Sequence, residues 1–201
     1  MTDIILIVVA YLLGSFPSAL VIGKLFFGKD IRNFGSGNLG STNAFRVLGK
    51  GGGTVVLVLD IGKGVLAAFI ASYFSEGLHP LIISIFALIG HIYPLFAGFR
   101  GGKAVATAGG LVIYFLLPNV IILLAVFIVS LKLWKMVSLS SSLMALTLIA
   151  IVWLGGDLAF FGHNLDLTAR IMFTLFALLI LLKHIPNYKR MLSGTENKVN
   201  F

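Results

Sequence analysis

The chain contains no cysteine, and only seven of its 201 residues are acidic. Without cysteine the protein can form no disulfide, no thiolate metal site and no cysteine nucleophile. The same absence removes the usual argument about the redox compartment, because there is no thiol whose oxidation state could report on it. The absence of cysteine therefore restricts the chemistry that the protein can perform. The cellular location has to be argued from other features.

Charged residues of either sign are also scarce, at 11% of the chain, while 59% of the residues are hydrophobic. One soluble core of this size cannot bury so much apolar surface, and the mean hydropathy of +1.07 agrees. A net charge of +8 would suggest nucleic-acid binding in a soluble protein, but membrane orientation also requires basic residues between apolar spans. We therefore expect an all-α, polytopic membrane protein with one domain over 1–201 and no nucleic-acid partner.

Polar clusters divide the chain into seven apolar segments, each predicted to be a transmembrane helix. The segments are 4–23, 54–75, 79–97, 104–117, 119–134, 139–156 and 168–185. The fourth and fifth are shorter than the about 20 residues that a straight span needs, so a tight hairpin or one kinked element at Pro118 is the alternative. The glycine run 49–53 is predicted to be a flexible lead into the second helix. The first segment lacks the basic flank of a cleaved signal peptide and should remain as a span.

The distribution of basic residues predicts the orientation of these helices. With the N-terminus outside, the inner loops hold 13 of the 15 basic residues, namely Lys24, Lys29, Arg32, Arg46, Lys50, Arg100, Lys103, Lys132, Lys135, Lys183, Lys189, Arg190 and Lys198. The outer loops instead carry Glu76, His79, Asp157, His163 and Asp166. The positive-inside rule therefore predicts seven helices, with the N-terminus outside and the C-terminus in the cytoplasm.

A loop rich in glycine, serine and asparagine follows the first span on the cytoplasmic side. Its candidate ligand-binding residues are Ser36, Gly37, Asn38, Gly40, Thr42, Asn43 and Arg46. The plain interpretation is a turn-rich connection, but small hydrogen-bonding groups beside an arginine favour a phosphate site. Ser36 would donate a hydrogen bond rather than act as a nucleophile, because no histidine or aspartate stands at an activating spacing. Arg46 could hold a phosphate with both ends of its guanidinium.

Segment 98–107 combines two cations with paired glycines in an otherwise apolar chain. Arg100 and Lys103 flank Gly101 and Gly102, so backbone N–H groups and cations could converge on a phosphate ahead of a helix N-terminus. The plain alternative is a pair of positive-inside flanking charges. The segment is not a Walker A loop, because Ala97 stands where the first glycine is needed and no strand precedes it. The pattern therefore indicates a phosphorylated ligand and does not support ATP hydrolysis.

Ionisable residues inside the predicted spans need an explanation, because burying charge in a membrane is costly. Asp60 and Lys63 stand at i, i+3 and should neutralise each other, either as a structural pair or with Lys63 facing the site. His91 is placed near the middle of the third helix. It is either functional or a core histidine bonded to a carbonyl that Pro94 frees one turn earlier.

The third polar stretch, 184–198, leaves the last helix on the cytoplasmic side. His184 would lie at the interface, either titrating near neutral pH or ending the helix beside a positive tail. Glu196 is the only acid of this tail, which favours a structural ion pair. Ser138 and Ser141 open the sixth helix on the same side, where capping is the default explanation. The four histidines fall at different sides or depths, so no metal site and no cofactor is predicted.

These stretches resemble the bacterial acyl-phosphate:glycerol-3-phosphate acyltransferase family, PlsY, in order and over nearly the whole chain. Ser36-Gly-Asn-x-Gly-x-Thr-Asn-x-x-Arg46 is similar to the first family motif. Gly90-His-x-x-Pro94 through Phe99-Arg-Gly-Gly-Lys-x-Val-Ala-Thr107 is similar to the second. His184-x-x-Asn187-x-x-Arg190 through Gly194-x-Glu196-x-Lys198 is similar to the third, and Asp60-x-x-Lys63-Gly64 also matches.

The resemblance implies an enzyme that transfers a fatty acyl group from acyl phosphate to the 1-hydroxyl of sn-glycerol 3-phosphate, giving lysophosphatidic acid in the first step of phospholipid synthesis. It implies a catalytic set of Ser36, Arg46, Lys103, His184 and Asn187. It implies substrate-binding roles for Gly37, Asn38, Gly40, Thr42, Asn43, Lys63, Gly101, Gly102, Thr107, Ser138 and Ser141. His184 or an oxygen of a substrate phosphate would accept the proton. We expect a monomer in the bacterial inner membrane, in contact with membrane lipid.

Two other functions fit parts of the pattern. A small transporter or channel for a phosphorylated anion could use Asp60, Lys63 and His91 along a path. The outer halves of the spans are almost purely apolar, however, which favours an enzyme at one face of the membrane. An acyltransferase with a thioester donor is the second alternative, but no histidine here has an aspartate five positions later, as the His-x-x-x-x-Asp signature requires.

Overall fold

The computed structural model describes residues 1–154 and 165–199, and the regular structure within these ranges is helical. Its α-helices are α1 (Thr2–Ser15), α2 (Ser18–Phe27), α3 (Ser41–Phe74), α4 (Pro80–Ile92), α5 (Val105–Phe115), α6 (Val120–Trp134), α7 (Val137–Leu154), α8 (Leu167–Lys183) and α9 (Ile185–Leu192). The chain divides into an N-terminal unit, Met1–Phe115, and a C-terminal unit, Leu116–Phe201. The all-α prediction is confirmed, while the single domain over 1–201 stays a prediction.

Five stretches of the described chain are long and apolar enough to cross a membrane, and α8 with α9 makes a sixth if their 47° bend lies within one span. The five are Thr2–Phe27, Ser41–Phe74, Pro80–Ala97, Leu117–Trp134 and Val137–Leu154. The polytopic prediction is therefore confirmed, but seven spans are not. The fourth predicted span, 104–117, contains the 11-residue α5, which is too short for a straight crossing. The end of the sixth predicted span, with Asp157 and His163, lies outside the described residues.

The first predicted span consists of two helices separated at Phe16 and Pro17. Pro17 has no N–H to donate, and Phe16 adopts an extended conformation with ψ of 113°, so α1 ends at Ser15 and α2 begins at Ser18. The Phe16 carbonyl is turned out of the helical pattern, and Lys63 Nζ donates to it at 3.1 Å. The break thus supplies a backbone acceptor to a buried cation.

The glycine run 49–53 lies inside α3 and is helical apart from one residue. Gly49 has a φ of 74°, in the left-handed region that favours glycine, and it bends the helix there. A Cβ on Gly52 would press on Phe27 and Leu48, and one on Gly53 would overlap Phe45. The prediction of a flexible lead-in is therefore wrong, because these glycines permit a bend and close packing rather than mobility.

Glycines also set the helix packing of the N-terminal unit, where α1 lies against α4 and α3 lies against α5. A Cβ on Gly14 would overlap the backbone carbonyl of Ala87, and one on Gly64 would overlap that of Thr107. Small residues let helix backbones approach closely, which drives association where lipid removes the usual hydrophobic force. The close contact between α3 and α5 brings Lys63 and Thr107 into one region of the unit.

Alanine at Gly64 and at Gly62 should have opposite consequences for stability. Gly64→Ala places a methyl group against the backbone of α5 and should destabilise the fold by about 1–3 kcal/mol. Gly62, on the same helix, has open space around its Cβ position, so Gly62→Ala should be neutral or gain up to about 1 kcal/mol of helix propensity. Thermal unfolding in detergent would check this pair. Equal midpoints for the two variants would contradict the close α3–α5 contact.

In the C-terminal unit, α7 packs between α6 and α8. Phe173 and Phe176 fill the buried side of α8 with ring centroids 5.4 Å apart in an edge-on arrangement. Trp153 Nε1 of α7 donates to Thr174 Oγ1 of α8 at 2.9 Å. Asp166 caps the start of α8 by accepting from the Ala169 N–H at 2.7 Å. These contacts fix α8, which ends one residue before His184.

Candidate active site

A buried polar cluster lies inside the N-terminal unit and is centred on Asp60 of α3. Asp60 Oδ1 accepts from Ser18 Oγ at 2.8 Å and pairs with Lys63 Nζ at 2.9 Å. Both charged side chains are buried, so neither is satisfied by bulk solvent. The predicted i, i+3 neutralisation is confirmed. Ser18 was not predicted, because a serine after a proline at a helix start indicates only a cap.

His91 belongs to the same cluster but lies on the last turn of α4. The helix ends at Ile92 because a residue before proline is driven out of the helical region, so placing His91 near the middle of a helix was wrong. Its Nδ1 is 3.2 Å from Thr107 Oγ1 and 3.8 Å from Asp60 Oδ1. The ring therefore contacts a hydroxyl on α5. The sequence had suggested a different partner, a backbone carbonyl that Pro94 frees one turn earlier.

The segment that follows α4 reaches α5 through a compact loop, 98–104. Gly98, Phe99 and Ala104 have φ values of 64°, 60° and 59°. Two of these are not glycines, and a left-handed conformation at such residues is held only when the surroundings over-determine it. The loop is thus a tightly specified structure rather than a slack connection.

Gly101 and Gly102 lie directly on the end of α4. The Gly102 N–H donates to the His91 carbonyl at 3.0 Å. A Cβ on Gly101 would overlap the same carbonyl, and one on Gly102 would overlap His91 Nε2. Lys103 follows at once and is half-buried. The paired glycines therefore allow the backbone to seat on His91, and His91 in turn sets where Lys103 begins.

A small cleft opens beside this cluster in the N-terminal unit. Its walls include Pro17, Ser18, Asp60, Lys63, His91 and Gly102. Lys63 therefore lines a cleft and also neutralises Asp60. Its role in substrate binding stays a prediction. Among the residues that the structure describes, Asp60 Oδ2 has no hydrogen-bond partner. The ion pair therefore forms part of the cleft wall.

The glycine-rich loop before α3 is braced by Asn43. Asn43 Oδ1 accepts from the Ser36 N–H at 2.9 Å, and its Nδ2 donates to the Phe34 and Ile31 carbonyls at 3.1 and 3.3 Å. The side chain is buried, so in this structure it holds the loop in shape. The role of Asn43 in substrate binding stays a prediction.

The remaining predicted residues of this loop lie at the surface of the N-terminal unit. Ser36 and Arg46 are exposed, as are Gly37 and Thr42, while Asn38 and Gly40 are partly buried. A Cβ on Gly35 would meet Asn43 Oδ1 and approach Arg46 Cδ, so the loop passes close to the helix face that carries both. The exposed hydroxyl and guanidinium are therefore accessible to a phosphate from water.

In the C-terminal unit a second polar cluster gathers around Glu196. Its Oε1 accepts from Ser138 Oγ at 2.8 Å and Asn187 Nδ2 at 2.7 Å, and its Oε2 accepts from Arg190 Nε at 2.8 Å. The predicted structural ion pair is confirmed. The serines do not cap α7 as expected, because Ser138 donates to Glu196 and Ser141 Oγ donates to the Val137 carbonyl at 2.9 Å.

His184 stands at the junction of α8 and α9. It is the C-cap residue of α8 and the N-cap residue of α9, which confirms its predicted position at a helix end. Its Nδ1 lies 2.8 Å from the Ile180 carbonyl, and its ring stacks on Tyr188 with centroids 6.4 Å apart. Tyr188 OH is 2.8 Å from Ser142 Oγ. The imidazole is therefore fixed in orientation through its Nδ1 contact and its stacking on Tyr188.

Removing the charge of Glu196 should change how stability depends on pH. Burial raises the pKa of this carboxyl, but the hydrogen bonds from Asn187, Ser138 and Arg190 outweigh it and hold the pKa below its usual 4.5. A lowered pKa contributes stability above the unfolded-state value, and that contribution is lost as pH falls through the folded-state value. We expect Glu196→Gln to lower the thermal midpoint at neutral pH and to flatten the acid side of a midpoint-versus-pH series. A variant as stable as wild type at pH 7 would contradict this.

The predicted site residues fall in both units. Ser36, Arg46 and Lys103 belong to the N-terminal unit, and His184, Asn187 and Ser138 belong to the C-terminal unit. In the N-terminal unit the structure brings together five predicted residues, Lys63, His91, Gly101, Gly102 and Thr107. In the C-terminal unit it brings together Asn187 and Ser138. The convergence of all three polar stretches on one ligand stays a prediction.

Comparison with known proteins places similarity along almost the entire chain. A family model described as glycerol-3-phosphate acyltransferase matches residues 4–194. A glycerol-3-phosphate acyltransferase of Geobacillus kaustophilus is 47% identical over 201 residues, covering 100% of this chain and 98% of the relative. One of Bacillus subtilis is 44% identical over 197 residues, covering 98% and 97%.

Solved structures agree with the sequence comparison. The crystal structure of PlsY (YgiH), an integral membrane glycerol 3-phosphate acyltransferase, in its glycerol 3-phosphate form is 33% identical, with a TM-score of 0.89 over 100% of this chain and 96% of that one. Its lysophosphatidic acid form is 31% identical, with a TM-score of 0.85 over the same shares. The similarity therefore includes the fold as well as the motifs.

Proposed function

The chain belongs to the glycerol-3-phosphate acyltransferase family, and from that membership we propose that it transfers a fatty acyl group from acyl phosphate to the 1-hydroxyl of sn-glycerol 3-phosphate. The products are lysophosphatidic acid and phosphate, and the reaction is the first step of phospholipid synthesis. The observation that carries this proposal is the seating of the 101–103 backbone on His91, in a unit that also exposes Ser36 and Arg46. Related structures with glycerol 3-phosphate and lysophosphatidic acid support the acceptor and the product.

We assign the phosphate-binding role to Ser36, Arg46 and Lys103. Ser36 and Arg46 are exposed and Lys103 is half-buried, so a phosphate from water can reach these polar groups. An arginine can bind two phosphate oxygens at once, and a lysine adds a point charge. The glycines at 37, 40, 101 and 102, with Asn38 and Thr42, shape the loops around the ligand. His184 and Asn187 orient the glycerol hydroxyls.

The chemistry is a direct acyl transfer. The 1-hydroxyl oxygen attacks the acyl carbonyl, a new ester C–O bond forms, and the bond between the acyl carbon and the phosphate oxygen breaks. The cationic side chains offset the charge on the departing phosphate, and the hydroxyl proton goes to His184 or to a substrate phosphate oxygen. Acyl phosphate is already activated, so positioning and electrostatics supply most of the rate.

We also propose seven crossings, with the N-terminus outside, the C-terminus in the cytoplasm and the protein in the bacterial cytoplasmic membrane. If α5 did not cross, α6, α7 and α8 would reverse direction, and Lys132, Lys135, Lys183, Lys189, Arg190 and Lys198 would lie outside. Counting α5 as a crossing keeps these six cations on the side of Lys24 and Arg46, as the positive-inside rule requires.

The absence of native cysteine makes this topology directly testable. A single Glu76→Cys variant should react with a membrane-impermeant maleimide in whole cells. A single Lys189→Cys variant should react only after the membrane is opened, because its residue faces the cytoplasm. Labelling of both variants in intact cells would overturn the proposed orientation.

The donor and the site are tested together with purified protein in detergent. Wild type should form lysophosphatidic acid from glycerol 3-phosphate with palmitoyl phosphate and not with palmitoyl-CoA. Arg46→Ala, Lys103→Ala and His184→Ala should each lose about 100-fold to 1,000-fold in rate, as expected for removing a group that stabilises developing charge. Lys50→Ala is the matched control, since Lys50 is exposed on α3 about one turn beyond Arg46. Product from palmitoyl-CoA alone would identify the thioester, rather than acyl phosphate, as the donor. No product from either donor would favour anion transport, which uptake into proteoliposomes would measure.

A further inference from the structure

The buried cluster of the N-terminal unit has contacts that suggest a supporting task beside the substrate-binding loop. We propose that His91 and Thr107, supported by the Asp60–Lys63 pair, form a positioning unit that holds the 101–103 backbone and through it Lys103. This inference rests on the proposed function, because it concerns how the phosphate-binding lysine is placed. It changes the role of Thr107 from contact with substrate to support of the loop, and it gives Lys63 a second task as part of that support.

The side chains of Thr107 and His91 are buried and contact each other. Thr107 is 0% exposed, Asp60 is 1% exposed and His91 is 6% exposed. A phosphate in contact with Thr107 Oγ1 would have to displace His91 Nδ1, which lies 3.2 Å from that hydroxyl. Lys103 is less buried than any of them. The cluster therefore lies beneath the loop and supports it.

His91 is the residue that connects the cluster to the loop, and it does so in two ways. Its carbonyl accepts the Gly102 N–H at 3.0 Å. Its ring edge at Nε2 lies where a Cβ of residue 102 would be. A shift of the ring would therefore move the backbone one residue before Lys103. The other ring nitrogen, Nδ1, faces Thr107 Oγ1, so the hydroxyl fixes the orientation of the ring that carries the loop.

The Asp60–Lys63 pair anchors this arrangement to the other helices. Asp60 Oδ1 is 3.8 Å from His91 Nδ1 and receives a hydrogen bond from Ser18 of α2. Lys63 donates to the Phe16 carbonyl at the break between α1 and α2. Groups from the α1–α2 break and from α2, α3, α4 and α5 are thus linked through polar contacts that have few alternative partners in an apolar interior. Such a network holds one geometry, which is what the positioning of Lys103 requires.

The decisive variant is Thr107→Val, which keeps the shape of the side chain and removes the hydroxyl that orients His91. The kcat/KM for glycerol 3-phosphate should fall by about tenfold to 100-fold, since a misplacement of about 1 Å can cost about 100-fold. Thr107→Ser restores the hydroxyl and should return most of the activity. Ser84→Ala is the matched control, because Ser84 is equally buried on α4 and donates to the Pro80 carbonyl away from the loop. It should lose stability and keep its kcat/KM.

Kinetics should be measured on monodisperse protein, together with the thermal midpoint and the Kd for glycerol 3-phosphate by titration calorimetry without any donor. If Thr107→Val does not fold, His91→Asn provides the second test. Asparagine leaves a polar group near the Nδ1 position and empties the space beneath Gly102, so the kcat/KM should fall again. Thr107→Val or His91→Asn with wild-type kcat/KM per folded molecule, or with losses equal to those of Ser84→Ala, would overturn the positioning role. Wild-type protein inactive with acyl phosphate would instead overturn the proposed function.

Discussion

Replacing Gly101 with alanine is expected to abolish acyl transfer while leaving the helices of the N-terminal unit assembled. The new Cβ would overlap the His91 carbonyl and press on the Ile92 carbonyl and the Pro94 ring. Backbone at the end of α4 cannot move aside as a flexible side chain would, so the loop itself must shift. A shift of about 1 Å at Lys103, two residues later, would cost about 100-fold in rate or more.

Gly109→Ala is the control for this substitution. Gly109 lies on α5, nothing approaches its Cβ position, and its φ is not in the left-handed region. The variant should keep its activity and gain up to about 1 kcal/mol of helix propensity. Activity would be measured as lysophosphatidic acid formation, and helix content by circular dichroism. Wild-type activity in Gly101→Ala would show that acyl transfer does not require the 101–103 backbone to contact the end of α4.

The second large effect concerns the charge pair inside α3. Lys63→Met should destabilise the protein by about 3–5 kcal/mol, because it leaves the Asp60 carboxylate buried without its cation. Asp60→Asn should have a comparable cost, since it leaves the Lys63 ammonium without its carboxylate. The double variant Asp60→Asn, Lys63→Met buries no charge at this site and should recover much of the loss.

A double-mutant cycle of thermal or denaturant unfolding in detergent would measure the coupling between the two residues. The cycle isolates the pair from the Phe16 and Ser18 contacts, which each single variant also disturbs. If the double variant loses as much stability as the two single variants lose together, the two charges do not interact. Recovery of stability without recovery of activity would agree with a further positioning role for the pair.

The features that the sequence predicted correctly depend on residues close together in the chain, or on residues that have few alternative partners. Asp60 and Lys63 are one helical turn apart, so their pairing follows once the helix is assigned. Glu196 is the only acid among several bases of the tail, and it pairs with Arg190. The motifs of the family were likewise visible as short, ordered runs. Composition alone was sufficient for the all-α membrane class.

The features that sequence missed are contacts between distant parts of the chain. The hydrogen bond from Lys63 to Phe16 joins residues 47 positions apart, and no periodicity relates them. The hydrogen bonds by which Asn43 braces its own loop were not predicted, because the sequence does not show which backbone groups a loop amide will meet. The 49–53 run was assigned mobility because glycine permits either freedom or close approach, and only the packing partner decides which. The length of α5 depended in part on Ala104, whose left-handed φ no sequence rule anticipates.

The shortness of α5 has a consequence for how the two substrates meet. Its 11 residues rise about 16 Å, roughly half of a hydrocarbon layer of about 30 Å. If α5 crosses as proposed, hydrophobic mismatch must either thin the bilayer locally or draw the 98–104 loop below the level of the headgroups. Both responses bring the cationic loop to the depth where acyl chains begin. An acyl phosphate could then present its reactive carbonyl while its tail stays dissolved in lipid, and only the water-soluble acceptor would have to travel inward.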